Sequence, residues 1–295
     1  MNTDPRIITT LAMLGLLTSC SGGGGTSVAG IDRGGITGGG AVGSVTGFGS
    51  VFVNGTRYET DGAVISIDGQ AAAEADLELG FVVAIDAEID ATGANALSVD
   101  FESNVIGPVS DIDLNASTLT VLGQTVLVDT ATYFDDTLAA DGLAGLEIDD
   151  SVRVSGFVDI DDRIVATRVD RLAGAARFEL LGFAREVDTV NKRFRIGAQL
   201  IDYASAGIID GFPAGEPASG DLVRVEGRQL GAADELIADE VVLKASPLDL
   251  DEDEEIEVEG FITSFVSAAD FRVSGIPVTT DGNTQFEDGT AGDLG

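Results

Sequence analysis

The sequence predicts an all-β protein made of tandem small antiparallel β-barrel modules. Three observations carry that expectation. A glycine-led apolar run recurs four times, at Gly43, Gly107, Gly182 and Gly260. Within each unit the stretches 51–58, 118–128, 193–203 and 270–279 alternate apolar and polar side chains at period two, the signature of a half-buried strand. Each of those stretches is interrupted at a matching place by Asn54-Gly55, Leu122-Gly123, Ile196-Gly197 or Ser274-Gly275, where glycine supplies the positive φ of a tight hairpin turn.

The first element is a leader. Arg6 precedes a weakly polar to apolar run over residues 7–17, which has the length of a signal-peptide core and is too short to span a bilayer as a helix. It ends in Leu17-Thr18-Ser19-Cys20, which resembles the bacterial lipobox, so residues 1–19 are expected to be a lipoprotein signal peptide and Cys20 the lipidated residue. The competing reading is a lone cysteine near a conventional cleavage site. Residues 20–40, rich in glycine, read as a flexible tether. No strand precedes these glycines and no Gly-Lys-Ser/Thr follows them, so they do not read as a phosphate-binding loop. By the lipoprotein sorting rule, Ser21 implies an outer-membrane anchor, with the periplasmic or cell-surface side left open; the acyl chains are then the membrane contact.

The modules follow as repeat 1 at 41–103, repeat 2 at 104–175 and repeat 3 at 176–247. An acidic linker occupies 248–255, and a partial repeat 4, lacking its later strands, occupies 256–295. The second half of each full unit brings two more strands, at 81–89 and 96–101, 152–158 and 164–172, and 222–225 and 236–243, with a turn or short helix expected at 71–79 and 136–146. Roughly five short strands per ~70 residues suits a closed OB-like barrel, which hides its own edges. A continuous β-sandwich fits the same strand spacing.

The run Gly43-Ser44-Val45-Thr46-Gly47-Phe48-Gly49-Ser50-Val51-Phe52-Val53-Asn54-Gly55, following the lipobox and tether, resembles bacterial proteins built from tandem copies of the domain of unknown function numbered 5666. That family pairs a Gly-led strand and turn with a later Val-x-Val-x-Gly strand. Val152-Arg153-Val154-Ser155-Gly156 and Val223-Arg224-Val225-Glu226-Gly227 match the later strand, while residues 82–86 depart from it by lacking the glycine. The resemblance implies a fold and brings no catalytic residues with it.

Composition narrows the chemistry. The chain has no His and one Cys, so no His-based triad, His-based zinc site or intrachain disulfide exists in it. With 51 acidic against 16 basic residues the net charge is -35, a field that repels phosphate backbones and argues against a nucleic-acid partner. Asp135-Asp136, Asp149-Asp150 and Asp161-Asp162 are adjacent carboxylates of the kind a hydrolase could pair, but with so many acids neighbours arise by chance. Asp111, Asp113 and Asn115, and Asp159, Asp161 and Asp162, place acids near turns as a Ca2+ site would, without the EF-hand pattern. Arg185, Lys192, Arg193 and Arg195, around Phe194, form the one local basic cluster. They read either as an acidic-glycan or oligonucleotide face or as strand residues paired with neighbouring acids.

The expectation is therefore a non-catalytic envelope lipoprotein with no cofactor, whose repeated modules bind or space a protein or glycan partner. The alternatives are a Ca2+-stabilised adhesin-like array and a carboxylate-dependent hydrolase.

Overall fold

The computed structural model describes residues 37–90, 93–174, 177–244, 255–282, 284–286, 290 and 292. Strands dominate. The first module contains β1 (Thr37–Gly47), β2 (Val51–Val53), β3 (Thr56–Glu59), β4 (Val64–Ile67), β5 (Gln70–Ala72), β6 (Val82–Asp90) and β7 (Gly93–Phe101). β1, β2 and β3 form an antiparallel meander, β3 lies parallel to β7, β7 is antiparallel to β6, and β6 returns to β1. The ring closes through five strands in the order β1-β2-β3-β7-β6. β4 continues along β7 beyond β3, so the short third strand is extended by a second segment on the same neighbour.

The second module repeats this order with β8 (Val105–Asp113), β9 (Thr118–Val121), β10 (Gln124–Leu127), β11 (Tyr133–Phe134), β12 (Ser151–Val158) and β13 (Ile164–Arg171). Its ring is β8-β9-β10-β13-β12, and β11 extends β10 along β13 as β4 extends β3. The third module has β14 (Phe178–Phe183), β15 (Arg185–Asp188), β16 (Arg193–Ile196), β17 (Gln199–Asp202), β18 (Ile208–Asp210), β19 (Leu222–Leu230) and β20 (Leu236–Leu243). Here the first strand breaks at Ala184. β14 pairs with β19 and β15 with β16, and the ring again runs through β17 and β20.

The expected antiparallel barrel is thus antiparallel at all but one contact per ring. The parallel contact arises because the chain crosses the barrel between its third and fourth strands. Those crossings fall at 71–79 and 136–146, and each holds one 3-10 turn, at Glu74–Asp76 and Gly142–Gly145. Leu77 in the first, and Leu138, Leu143 and Leu146 in the second, turn inward and plug the core.

The fourth unit supplies β21 (Glu255–Val258), β22 (Ile262–Ser267), β23 (Asp270–Val273) and β24 (Ile276–Val278). β22, β23 and β24 form a meander, while β21 lies parallel to the start of β1. β1 itself begins at Thr37, inside the stretch read as tether. Glycine does not prevent this, because main-chain pairing on both edges, to β6 and to β21, needs no side chain, and the bare backbone lets β21 approach. β21 likewise takes in Glu255 from the end of the acidic linker. Cys20 and the remainder of the leader lie outside the described residues.

The recurring glycines have one steric cause. A Cβ on Gly43 would sit 1.9 Å from Asn54 Oδ1, on Gly107 2.6 Å from Leu122 Cγ, on Gly182 2.4 Å from Ile196 Cγ2, and on Gly260 1.8 Å from Ser274 Oγ. The leading glycine of every unit therefore vacates the space filled by the residue before the hairpin glycine. Asn54, Leu122 and Ser274 adopt positive φ ahead of Gly55, Gly123 and Gly275, and each pair forms a two-residue turn. The third hairpin differs from the sequence expectation. Ile196 pairs with Gln199, so its turn is Gly197-Ala198, one position later, which spares β-branched Ile196 the positive φ.

The later-strand glycine marks a β-bulge. Register shifts occur between Ser155 and Gly156 and between Glu226 and Gly227, where a Cβ would lie 2.3 Å from the carbonyl oxygens of Val165 and Ile237. In the first module the bulge lies between Asp86 and Ala87. The equivalent motif there is Val83-Ala84-Ile85-Asp86-Ala87, with alanine at the glycine place, and not residues 82–86.

Gly107→Val is expected to destabilise the protein by about 2 kcal/mol in urea unfolding, because the new side chain overlaps Leu122. Leu122→Ala in the same chain should recover part of that loss, and the coupling between the two changes is the quantity to measure.

Candidate functional site

Barrels 2 and 3 share one continuous core, running from Val105, Leu119 and Val154 to Leu180, Phe194 and Val225. The link is direct main-chain pairing: Glu179 and Leu180 of β14 pair with Ile106 and Val105 of β8. Barrel 1 keeps its own core, in which Phe81 and Phe101 stack at 3.8 Å between ring centroids. It meets barrel 2 through polar contacts. The Val82 amide donates to Ser155 Oγ at 2.9 Å, Thr167 Oγ1 donates to the Gly80 carbonyl at 2.5 Å, and Arg168 donates to the Leu79 carbonyl at 3.0 Å.

Arg168 is held at this seam by Asp170, 2.6 Å away, and lies over the Phe81 ring. Burial raises the Asp170 carboxyl above its ordinary value despite the neighbouring guanidinium. A second ionic group lies where all three barrels meet. Asp68, from the turn after β4, accepts from the Ser103 amide at 2.7 Å and faces Arg153 of β12 at 3.5 Å. Glu179 is 0% exposed and has Arg177 at 2.9 Å, while Arg224 joins Glu226 at 2.7 Å and Glu240 at 3.4 Å. Burial, followed by the charge of Asp68, pushes the Glu179 carboxyl up to about 8 against the pull of Arg177 and Arg224. Lys244, at the end of barrel 3, pairs with Glu102, at the exit of barrel 1.

A cleft of about 480 Å³ lies where barrel 1, barrel 2 and the fourth unit converge. Thr46 of β1, the Thr130–Tyr133 loop, Phe157 of β12 and Phe261 contribute its walls. β11 holds the loop in place by pairing Tyr133 with Arg168, and Thr132 Oγ1 donates to the Ala166 carbonyl at 2.8 Å. Tyr133 is 42% exposed. Among the described residues Glu259 is the only charged one in the lining, and one of its oxygens accepts from the Ser44 amide at 3.3 Å. Its described lining thus combines aromatic surface, hydroxyl groups and one carboxylate, without Lys or Arg.

The residues singled out by sequence are not brought together. Asp113 caps its own turn through the amides of Asn115 and Ala116. Asp159 accepts from the Asp161 and Arg163 amides and binds the Arg163 guanidinium at 2.8 Å. Among the described residues no group of three acids, His or Cys is arranged to hold a metal. Asp135 caps the turn at Thr137, and Asp150 is engaged by Arg171 at 3.0 Å. In the basic cluster Phe194 is fully buried, and Arg185, Lys192, Arg193 and Arg195 pair with Asp162, Glu216, Asp202 and Glu186. That is the arrangement of a strand face neutralised by neighbouring acids. Sequence reasoning passed over the cleft residues and Glu179, because each set comes from distant segments and no local motif marks them.

The strand order and recurrent glycines define a tandem array of closed five-stranded β-barrels, with a further unit joined to it. Two separate segments of the chain, residues 106–170 and 259–294, match the family model of the domain of unknown function DUF5666, which is consistent with a repeated domain. The first match covers almost the whole ring of barrel 2 and the second falls in the fourth unit; barrels 1 and 3 repeat the same strand order outside the matched segments. No curated protein and no solved structure matches the chain.

Arg168→Met should lower stability by about 3 kcal/mol, since it leaves Asp170 buried and unpaired. Arg168→Met combined with Asp170→Asn should cost clearly less, and chemical denaturation of the parent chain and the two variants measures the difference.

Proposed function

We propose that this protein is a non-catalytic lipoprotein of the outer membrane, anchored through Cys20, whose fused OB-like barrels form a stiff unit that holds a glycan. The OB-like reading rests on the ring order, with the crossing segment plugging the core between the third and fourth strands. The observation that carries the binding role is the cleft between barrels 1 and 2 and the fourth unit, a space that no single module encloses. Aromatic faces such as Tyr133 pack against the C–H faces of sugar rings, and the Thr46, Thr130 and Thr132 hydroxyls match sugar hydroxyls in polarity. A lining whose described residues include no Lys or Arg, in a chain of net charge -35, favours a neutral glycan over an anionic one. A protein partner at the same cleft is the other reading.

Binding of the soluble chain to an array of neutral and anionic oligosaccharides tests this. Retention of neutral sugars, weakened about tenfold by Tyr133→Ala, is the expected result. Equal retention by the variant, or none by the parent chain, overturns the glycan role. In cells, Cys20→Ala is expected to release the protein from the membrane fraction; unchanged membrane association contradicts the anchor.

A further inference from the structure

Glu179 stands at the start of β14, where barrel 3 joins barrel 2. Its strand neighbours are Ile106 of β8 and Glu226 of β19. Both carboxyl oxygens are buried and neither is aligned in a hydrogen bond, although Arg177 comes within 2.9 Å. The charged groups facing it come from every element packed there. Asp68 of barrel 1, Arg177 of the segment entering β14, and Arg224 and Glu226 of β19 act on it directly, while Arg153 of β12 joins through Asp68 and Glu240 of β20 through Arg224. Fully ionised, these would set four carboxylates against three guanidiniums. With Glu179 neutral the two charges balance. An unmatched charge is costly in a desolvated site, and Glu179 is the member with the least solvent and no aligned donor.

We propose that the meeting point of the three barrels is a proton-linked joint, in which Glu179 is held as the neutral acid and its deprotonation loosens the docking of β14 on β8. Opening exposes the carboxyl to water, where it releases its proton in the ordinary glutamate range. The closed joint therefore holds a proton that the open joint gives up. Rising pH favours opening across the interval from that ordinary range to the closed-state value near 8, and has no further effect through this group above it. Acidic surroundings tighten the array and neutral to mildly alkaline ones loosen it.

The Leu181 amide donates to the Asn104 carbonyl at 2.9 Å across this joint, whereas the Val128 amide donates to Ser117 within barrel 2. Hydrogen exchange of the full chain, expressed as protection against the intrinsic rate at each pH, follows both. Leu181 protection should fall by up to about tenfold per pH unit between roughly pH 5 and 8 and then level off. Glu179→Gln should remove that slope, with Val128 unaffected by the substitution. A flat profile at Leu181 in the parent chain, or the same slope in the variant, overturns the proposal. Should Glu179→Gln fail to fold, NMR titration of the Glu179 carboxyl carbon in the parent chain decides. A midpoint near 8 supports the joint, and one in the ordinary glutamate range overturns it.

Discussion

The beginning of β8 is paired on both edges, and the arrangement of the modules depends on it. Val105 and Ile106 bond to Val154 and Arg153 of their own barrel on one side and to Leu180 and Glu179 of the next barrel on the other. Beyond them the strand leaves β14 and turns its remaining length toward β9. A closed barrel has no free edge, so a second barrel can join its sheet only where a strand overruns the ring. The overrun of β8 merges the cores of barrels 2 and 3. Barrel 1 is then positioned by polar contacts against β12 and β13, and the fourth unit by the pairing of β21 with β1.

Much of this was legible from side chains that act locally. Period-two alternation and turn glycines identify strands whatever their partners, because both reflect constraints within a few residues. The pairing of Gly43 with Asn54, or Gly107 with Leu122, is repeated strongly enough to show as a motif, although its cause is a contact between two strands. Errors arose where two residues could serve one role. Ile196-Gly197 looks like its counterparts, yet a β-branched residue resists positive φ and the turn moves to Gly197-Ala198. Ala87 occupies a bulge site that glycine holds elsewhere, so a motif defined by glycine was placed one residue early. The glycines at 39 and 40 gave no sign of a strand because their pairing is wholly main-chain.

The cleft and the Glu179 joint were not legible, for a physical reason common to both. Their residues converge only after three modules have docked, and docking geometry leaves no periodicity in the sequence. Of the acids that looked suggestive in pairs, Asp135 caps a turn, and Asp150, Asp161 and Asp162 each lie against a guanidinium. The one whose environment departs furthest, Glu179, stands alone in an ordinary strand between Phe178 and Leu180. Its side chain is distinguished by what other barrels place around it. In a chain so acidic, the arginines beside the seams are matched to carboxylates on their own strands, as Arg168 with Asp170 and Arg224 with Glu226 show.

Joined through one core and through the pairing of β8 with β14, barrels 2 and 3 are expected to unfold as one unit. Native-state hydrogen exchange of the full chain in increasing urea tests it most directly, through the slowest amides of β13 in barrel 2 and β20 in barrel 3. A shared core and a shared strand predict the same opening free energy and the same urea dependence for both strands. Two distinct opening energies, with separate urea slopes, would mean that the barrels unfold independently and that the pairing of β8 with β14 is a contact between finished modules.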